Sequence, residues 1–116
     1  MFILGIETTC DETGIALIES KENNIRIIKN ELRTQYIKHR KYGGVVPILA
    51  AREHKKNLPI LLKNIEKDFD LRKIDFVSFS VGPGLLPALV SGKEFVQNLT
   101  KKLNKKIIPV DHLMAH

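Results

Sequence analysis

Two histidines spaced four residues apart, His112 and His116, are the side chains with the clearest capacity for chemistry. If a helix begins near Asp111, the two imidazoles lie one turn apart on the same face, with Cβ atoms about 5–6 Å apart. Neutral imidazoles at that separation can bind one metal ion together. Asp111 can cap such a helix, because its carboxylate accepts hydrogen bonds from the free N–H groups of the first turn. The pair therefore predicts two metal ligands, and two surface histidines are the alternative.

One kind of metal site is excluded by the residue between these histidines. Zinc proteases with the H-E-x-x-H motif have the same spacing, but they need a glutamate after the first histidine as general base. Leu113 occupies that position. Proteolysis by that route is therefore not expected.

A second polar cluster lies between two apolar segments near the N-terminus. It consists of Thr8, Thr9, Asp11, Glu12 and Thr13. Its hydroxyls and amides could bind phosphate oxygens, and a carboxylate could position a cation or a water molecule. An ordinary hairpin turn is the alternative. Cys10 is a poor candidate nucleophile, because no neighbouring histidine is implied.

Apolar periodicity predicts the element order βββαβαβ, followed by the start of a further helix. The strands are expected near residues 2–7, 15–18, 25–33, 74–80 and 107–110, with a basic loop after the third. The first strand is almost entirely apolar, which predicts cover on both faces. A first helix follows Pro47, with a kink or break expected at Pro59. A second helix is expected to have one apolar side, formed by Leu86, Leu89, Val90, Phe95, Val96, Leu99 and Leu103.

This order predicts an α/β fold with an antiparallel meander followed by parallel strands joined by right-handed crossovers. Ligands of such sheets bind beyond the carboxyl ends of the strands. The turns at residues 8–14 and 81–84 should therefore converge on the histidines. Neither standard phosphate fingerprint is met, because Pro87 replaces the last glycine of G-x-G-x-x-G and Glu94 follows Gly92-Lys93.

Length and composition set further bounds. The 116 residues suit one domain, and no apolar run is long enough to span a membrane. Cys10 is the only cysteine, which fits a reducing cytosol, so a cytoplasmic protein is expected. The 19 basic and 13 acidic residues give a net charge of +6. Basic clusters at 38–41 and 101–106 suit a nucleic-acid partner or are solvated surfaces.

Four blocks in the same order resemble the bacterial tRNA N6-adenosine threonylcarbamoyltransferase family (TsaD/Gcp). They are Gly5–Gly14, Tyr42–Pro47 with Leu49–His54, Gly82–Leu85 and His112–His116. This resemblance implies an actin-like (ASKHA, ribonuclease-H-like) first lobe with a mixed five-stranded sheet. Residues 1–116 would form this single N-terminal lobe, without the family's second lobe.

By resemblance, such enzymes transfer a threonylcarbamoyl group from threonylcarbamoyl-AMP to the adenine beside the anticodon of tRNA. His112 and His116 would bind one divalent ion, Fe²⁺ in preference to Zn²⁺ as the alternative, and its further ligand, an aspartate, belongs to the second lobe. Asp11 and Glu12 would lie near the reacting centre and Thr9 near phosphate.

The resemblance implies further partners, a smaller non-catalytic paralogue and an ATPase subunit, and no membrane association. A lone first lobe is expected to be inactive. The alternative is a non-catalytic lobe that acts as scaffold or dimerisation partner in the same complex. An unrelated sugar kinase or acetate kinase lobe is disfavoured by the first two blocks.

Overall fold

Five strands form one mixed sheet in the computed structural model, which describes all of residues 1–116. The strands are β1 (Phe2–Glu7), β2 (Glu12–Lys21), β3 (Asn24–Thr34), β4 (Phe76–Gly82) and β5 (Lys106–Asp111). Their spatial order is β3-β2-β1-β4-β5, with β1 to β3 antiparallel and β4 parallel to both β1 and β5. The predicted meander and the predicted parallel half of the sheet are confirmed.

Four α-helices and one 3₁₀ turn connect and follow the strands. They are α1 (Tyr36–Arg40), α2 (Pro47–Glu66), the 3₁₀ turn Leu71–Lys73, α3 (Leu86–Leu103) and α4 (His112–Ala115). The short helix α1 lies where a basic loop was expected. Of the kink or break predicted at Pro59, the break does not occur, because α2 continues through this exposed proline. Buried leucines on both sides of it, Leu58 and Leu61, attach the helix to the sheet and offset the lost N–H donor.

Both long helices cover the same face of the sheet. The core joins strand residues such as Leu4, Leu17 and Val77 to residues of α2 and α3, including Ile65 and Val96, all of them fully buried. The two long helices thus cover only one face of β1, whereas the sequence predicted cover on both faces. The residues of β1 that point away from the helices are only partly buried.

The inward side of α3 agrees with the predicted one at Val96 and Leu99 and differs from it near the start of the helix. Leu86 and Val90 are 72% and 43% exposed, whereas the small residues Ala88 and Gly92 are buried. Apolar content alone predicted the larger residues, but α3 packs so closely on the turn after β1 that only small side chains fit there. None of the helices is both long and apolar enough to cross a membrane.

Candidate functional site

One cleft at the carboxyl ends of β1 and β5 brings the predicted site residues together. It has a volume of about 250 Å³ and is lined by Glu7, Thr9, Cys10, Asp11, Glu12, His112 and His116. The parallel alignment of β1, β4 and β5 explains this arrangement, because the turns that follow parallel strands meet at one edge of the sheet. The structure thus places all five predicted site residues in the same cleft.

Helix α4 positions the two histidines as the sequence predicted. The Asp111 carboxylate accepts hydrogen bonds from the N–H groups of Leu113 and Met114, at 2.9 and 3.0 Å. The predicted cap is therefore confirmed. The rings of His112 and His116 lie side by side, with centroids 4.6 Å apart and planes inclined by 67°.

Glu7, the last residue of β1, is a site residue that the sequence analysis missed. Its Oε2 lies 3.1 Å from Nδ1 of His112. Its Oε1 accepts a hydrogen bond from the N–H of Thr9 at 2.7 Å, and the hydroxyl of Ser80 donates to Oε2. The available signal was its position, since a carboxylate that ends an apolar strand lies at the carboxyl edge where ligands bind.

The environment of Glu7 fixes which nitrogen of His112 is free. Partial burial acts to raise the pKa of Glu7, but the hydrogen bonds from Ser80, Thr9 and His112 outweigh it and lower that pKa. The carboxylate is thus ionised and accepts a hydrogen bond from the N–H at Nδ1, which leaves the Nε2 lone pair of His112 available. Metal-binding histidines in proteins are typically oriented by a carboxylate in this way.

The donor set of α4 fits a metal ion in part. The two imidazoles are borderline ligands that suit Fe²⁺ and Zn²⁺. No group of three or more His, Cys, Asp or Glu side chains in the chain could hold a metal ion. Two imidazoles are fewer than the three or four protein ligands that such ions take.

The turn between β1 and β2 is fixed by the glycine turn that follows β4. The Thr8 hydroxyl donates to the carbonyl of Ala88 at 3.1 Å, and the N–H of Leu85 donates to the carbonyl of Thr9 at 2.7 Å. A Cβ on Gly84 would lie 2.6 Å from that same carbonyl oxygen. The two turns contact each other, although residues 81–84 do not line the cleft of the histidines on which they were predicted to converge. Glycine is required at residue 84 by close backbone approach.

A buried histidine network ties the same turn to α2. Nε2 of His54 lies 2.8 Å from the carbonyl oxygen of Cys10, and its Nδ1 lies 2.7 Å from the Thr13 hydroxyl. Nε2 of His39 lies 2.7 Å from Oε1 of Gln35. Burial lowers the pKa of His54 despite the hydrogen bond to Cys10. The two buried rings thus support the turn that carries the site residues.

The remaining candidates differ in how they face the cleft. Asp11 is half-buried and Glu12 exposed, so a substrate can reach both carboxylates. Partial burial and the neighbouring charge of Asp11 raise the pKa of Cys10. A raised pKa leaves less thiolate, which agrees with the expectation that Cys10 is not a nucleophile.

Comparison with known proteins supplies the family. The family model described as TsaD, tRNA N6-adenosine threonylcarbamoyltransferase, matches residues 26–116. Proteins of that name from Thermosipho melanesiensis and Mycoplasma mobile are each 43% identical to the chain across its entire length. The chain covers 35% and 37% of those two proteins, so it spans about a third of the length of these curated relatives.

Solved structures confirm the predicted fold class. YeaZ from Pseudomonas aeruginosa matches with a TM-score of 0.68 and 18% identity, over 96% of this chain and 45% of YeaZ. RuvC from Thermus thermophilus matches with a TM-score of 0.65 and 10% identity, over 97% of this chain and 67% of RuvC. Both have the actin-like, ribonuclease-H-like fold. At these identities the likeness concerns the fold alone.

Proposed function

Because the chain belongs to the tRNA N6-adenosine threonylcarbamoyltransferase family, we propose that it is the first lobe of an enzyme that transfers a threonylcarbamoyl group to tRNA. The observation that supports this most is the cleft at the carboxyl edge of the sheet. There the His112–His116 pair faces the polar turn that follows β1. The donor would be threonylcarbamoyl-AMP and the acceptor N6 of the adenine beside the anticodon.

The histidines would hold one divalent ion, Fe²⁺ in preference to Zn²⁺. When bound, such an ion polarises a carbonyl oxygen and orients the acyl donor. His112 would bind through Nε2, since the hydrogen bond to Glu7 keeps the ring proton of His112 on Nδ1. Glu7 would thereby set the orientation of the ring without touching the substrate.

The turn after β1 would orient the phosphate of the donor and accept the proton that N6 of the adenine loses. The Thr9 hydroxyl would orient the phosphate of the donor. Attack by N6 forms a bond from nitrogen to the carbonyl carbon and breaks the bond from that carbon to the phosphate oxygen, releasing AMP. The proton lost by N6 would pass to the carboxylate of Asp11 or Glu12, the two accessible bases of the cleft.

The relatives are about three times as long as this chain, and we assign the missing functions to the remaining length. A second lobe would supply a nucleotide-binding loop and a further metal ligand, an aspartate. The 116 residues alone would thus not catalyse transfer. The complete enzyme would act in the cytoplasm with a smaller non-catalytic paralogue and an ATPase subunit.

A chimaera tests this proposal directly. The chain replaces the matching first third of the Thermosipho melanesiensis relative, and threonylcarbamoyladenosine in tRNA is measured by mass spectrometry. We expect the chimaera to modify tRNA and His112→Ala to abolish the modification. Met114→Ala, on the same helix and 84% exposed, should leave it unchanged.

Two other outcomes would contradict the proposal. A folded chimaera that modifies no tRNA would favour the alternative function, a non-catalytic scaffold or dimerisation lobe. Equal activity of the chimaera and its His112→Ala variant would remove the histidine pair from the reaction.

A further inference from the structure

Both tyrosines of the chain lie on the surface within one short segment. Tyr36 begins α1 and Tyr42 follows it, with 60% and 64% of their surface exposed. Between them, Ile37 is 79% exposed. By contrast, Phe2 and Phe69 pack edge to face, with ring centroids 4.9 Å apart. We call the exposed residues Tyr36, Ile37, Arg40, Lys41 and Tyr42 the tyrosine patch.

The buried side of this segment holds the patch in place. Gln35 and His39, one turn apart, are 2% and 3% exposed and hydrogen-bond each other. Nδ1 of His39 accepts a hydrogen bond from the N–H of Val46 at 2.9 Å. Because these polar groups are satisfied inside, the residues between them point outward by helical periodicity. The tyrosines are thus presented by an ordered backbone.

The charge of the patch is positive and not neutralised within the chain. Lys38 pairs with Glu53 at 2.6 Å, whereas Arg40 and Lys41 take part in none of the ion pairs of the structure. Nζ of Lys41 lies 5.9 Å from the centroid of the Tyr42 ring. Free cations beside exposed aromatic rings match a ligand that carries both phosphates and flat bases.

The patch borders the candidate site. A cavity of about 440 Å³ is lined by Asp11, Tyr36, His39, Arg40, Gly43, Gly44 and Val45. Asp11 also lines the cleft that contains the histidine pair. A polymer bound at the patch therefore lies next to the proposed reacting centre.

We propose that the tyrosine patch binds the single-stranded anticodon loop of the tRNA. This inference rests on the proposed function, which sets the target adenine beside the anticodon. Unstacked bases of the loop would stack on Tyr36 and Tyr42, and Arg40 and Lys41 would contact the phosphates. The patch would hold the loop while the target adenine reaches the cleft.

The second basic cluster of the chain lies elsewhere. Lys101 and Lys102 lie in the last turn of α3, and Lys106 begins β5, whereas the site follows the end of β5 at Asp111. Six strand residues span roughly 20 Å. These lysines therefore provide a matched control, with equal charge at the opposite end of the sheet.

Binding of a fluorescent anticodon stem–loop RNA to the 116-residue chain tests the proposal. Tyr36→Ala/Tyr42→Ala should weaken binding about fivefold or more, with an unchanged salt slope. Arg40→Gln/Lys41→Gln should reduce the slope of log K against log salt by about 1.4, as expected for two lost contacts to single-stranded phosphates. Lys101→Gln/Lys102→Gln should change neither quantity, and Tyr36→Phe/Tyr42→Phe should retain affinity.

Several results would overturn the proposal. The proposal fails if the unmodified chain does not bind the stem–loop or if the tyrosine variant binds it with wild-type affinity. It also fails if the Lys101→Gln/Lys102→Gln control loses as much affinity as the tyrosine variant. Equal affinity for a blunt RNA duplex without a loop would also overturn it, as would variants that bind RNA normally but lose a protein partner. Circular dichroism verifies folding, and if the alanine variant unfolds, the Arg40→Gln/Lys41→Gln slope decides.

The failure of this inference differs from that of the proposed function. A chimaera that modifies tRNA while the patch variants bind the stem–loop normally would refute only the location of the RNA contact. A chimaera without transferase activity, combined with patch-dependent RNA binding, would refute only the catalytic assignment.

Discussion

The partners of the ring nitrogens separate the four histidines into two kinds. His39 and His54 are buried, and each has both nitrogens within hydrogen-bond distance of protein groups. Neither ring has a nitrogen lone pair free for a ligand, so both have a structural role. His112 instead meets Glu7 and Thr9 through Nδ1 alone, so its Nε2 remains open to the cleft. Only the pair on α4 is therefore suited to bind a metal.

His54 makes the stability of the chain depend on pH. Burial lowers its pKa from the ordinary value of 6.5, and the charge of His39 acts in the same direction, although the Cys10 carbonyl, Glu7 and Asp11 oppose both. The unfolded chain thus binds more protons than the folded chain below pH 6.5. Stability should be full above pH 6.5 and decline as pH falls through the lower folded pKa.

We predict that His54→Gln flattens this pH dependence. The amide removes the titrating group and can still hydrogen-bond Thr13 or the Cys10 carbonyl. Urea unfolding at pH 7.5 and pH 5.5 measures the difference for both proteins. An equal loss of stability between these pH values in wild type and variant would show that another group is responsible.

At the residue scale, the sequence revealed the groups with obvious chemistry and missed their partners. The spacing of His112 and His116 and the composition of the Thr8–Thr13 turn predicted the cleft residues. Glu7 was missed because its role depends on strand pairing, which brings Ser80 and His112 to it from distant parts of the chain. Contacts between residues more than 70 positions apart have no local signature.

Close packing between α3 and the turn after β1 sets the shape of the cleft at the element scale. A Cβ on Gly92 would lie 2.1 Å from the Thr8 hydroxyl oxygen. Thr8 cannot move aside easily, since it is 2% exposed and bonded to the carbonyl of Ala88. The position of the turn that carries the site residues therefore depends on the absence of a side chain at residue 92.

We predict that Gly92→Ala destabilises the chain by about 1–3 kcal/mol, the usual cost of overpacking. The gain of about 0.5–1 kcal/mol from replacing a helical glycine is smaller. Gly44→Ala is the control, because a Cβ there meets nothing within 4 Å. Urea denaturation of both variants measures the difference.

A double-mutant cycle identifies the contact responsible. Thr8→Ala removes the hydroxyl and methyl that the new Cβ would meet, so the double variant Thr8→Ala/Gly92→Ala should lose less stability than the two single changes summed. Strict additivity, or a Gly92→Ala variant as stable as Gly44→Ala, would contradict the packing argument.

Elements with strong periodicity were predictable, whereas elements set by tertiary contacts were not. The meander, α2, β4 and β5 follow from apolar spacing and turn residues. The helix α1 has no apolar stripe, because its one buried residue is the polar His39, which pairs with Gln35 just before the helix. On α3, Leu86 and Val90 were wrongly assigned to the inward side, since the small residues Ala88 and Gly92 that are buried there carry little hydrophobic signal.

At the scale of the whole molecule, the topology explains why distant segments form one site. Two parallel pairings, β1 with β4 and β4 with β5, place the ends of three strands at one edge. Helices α2 and α3 cover a single face of the sheet, and α4 lies against the other, where Ala115 lines a cavity with Gly5, Ala16 and Ser78. The site thus lies at the edge of the sheet, between the face covered by α2 and α3 and the face that α4 contacts.

Metal content is the most direct measurement of the central claim, that His112 and His116 hold the metal of a transferase. Iron and zinc per chain are measured by mass spectrometry in the chimaera with the Thermosipho melanesiensis second lobe. We predict close to one ion per chain for the wild-type lobe and for Met114→Ala. Glu7→Gln, which keeps both ligands, should weaken binding about 10- to 100-fold.

The His112→Ala and His116→Ala variants decide the outcome. The account predicts that each loses most of its bound metal while the chimaera remains folded, because a single imidazole is left on α4. Equal metal content in the wild type and in both variants would contradict the account.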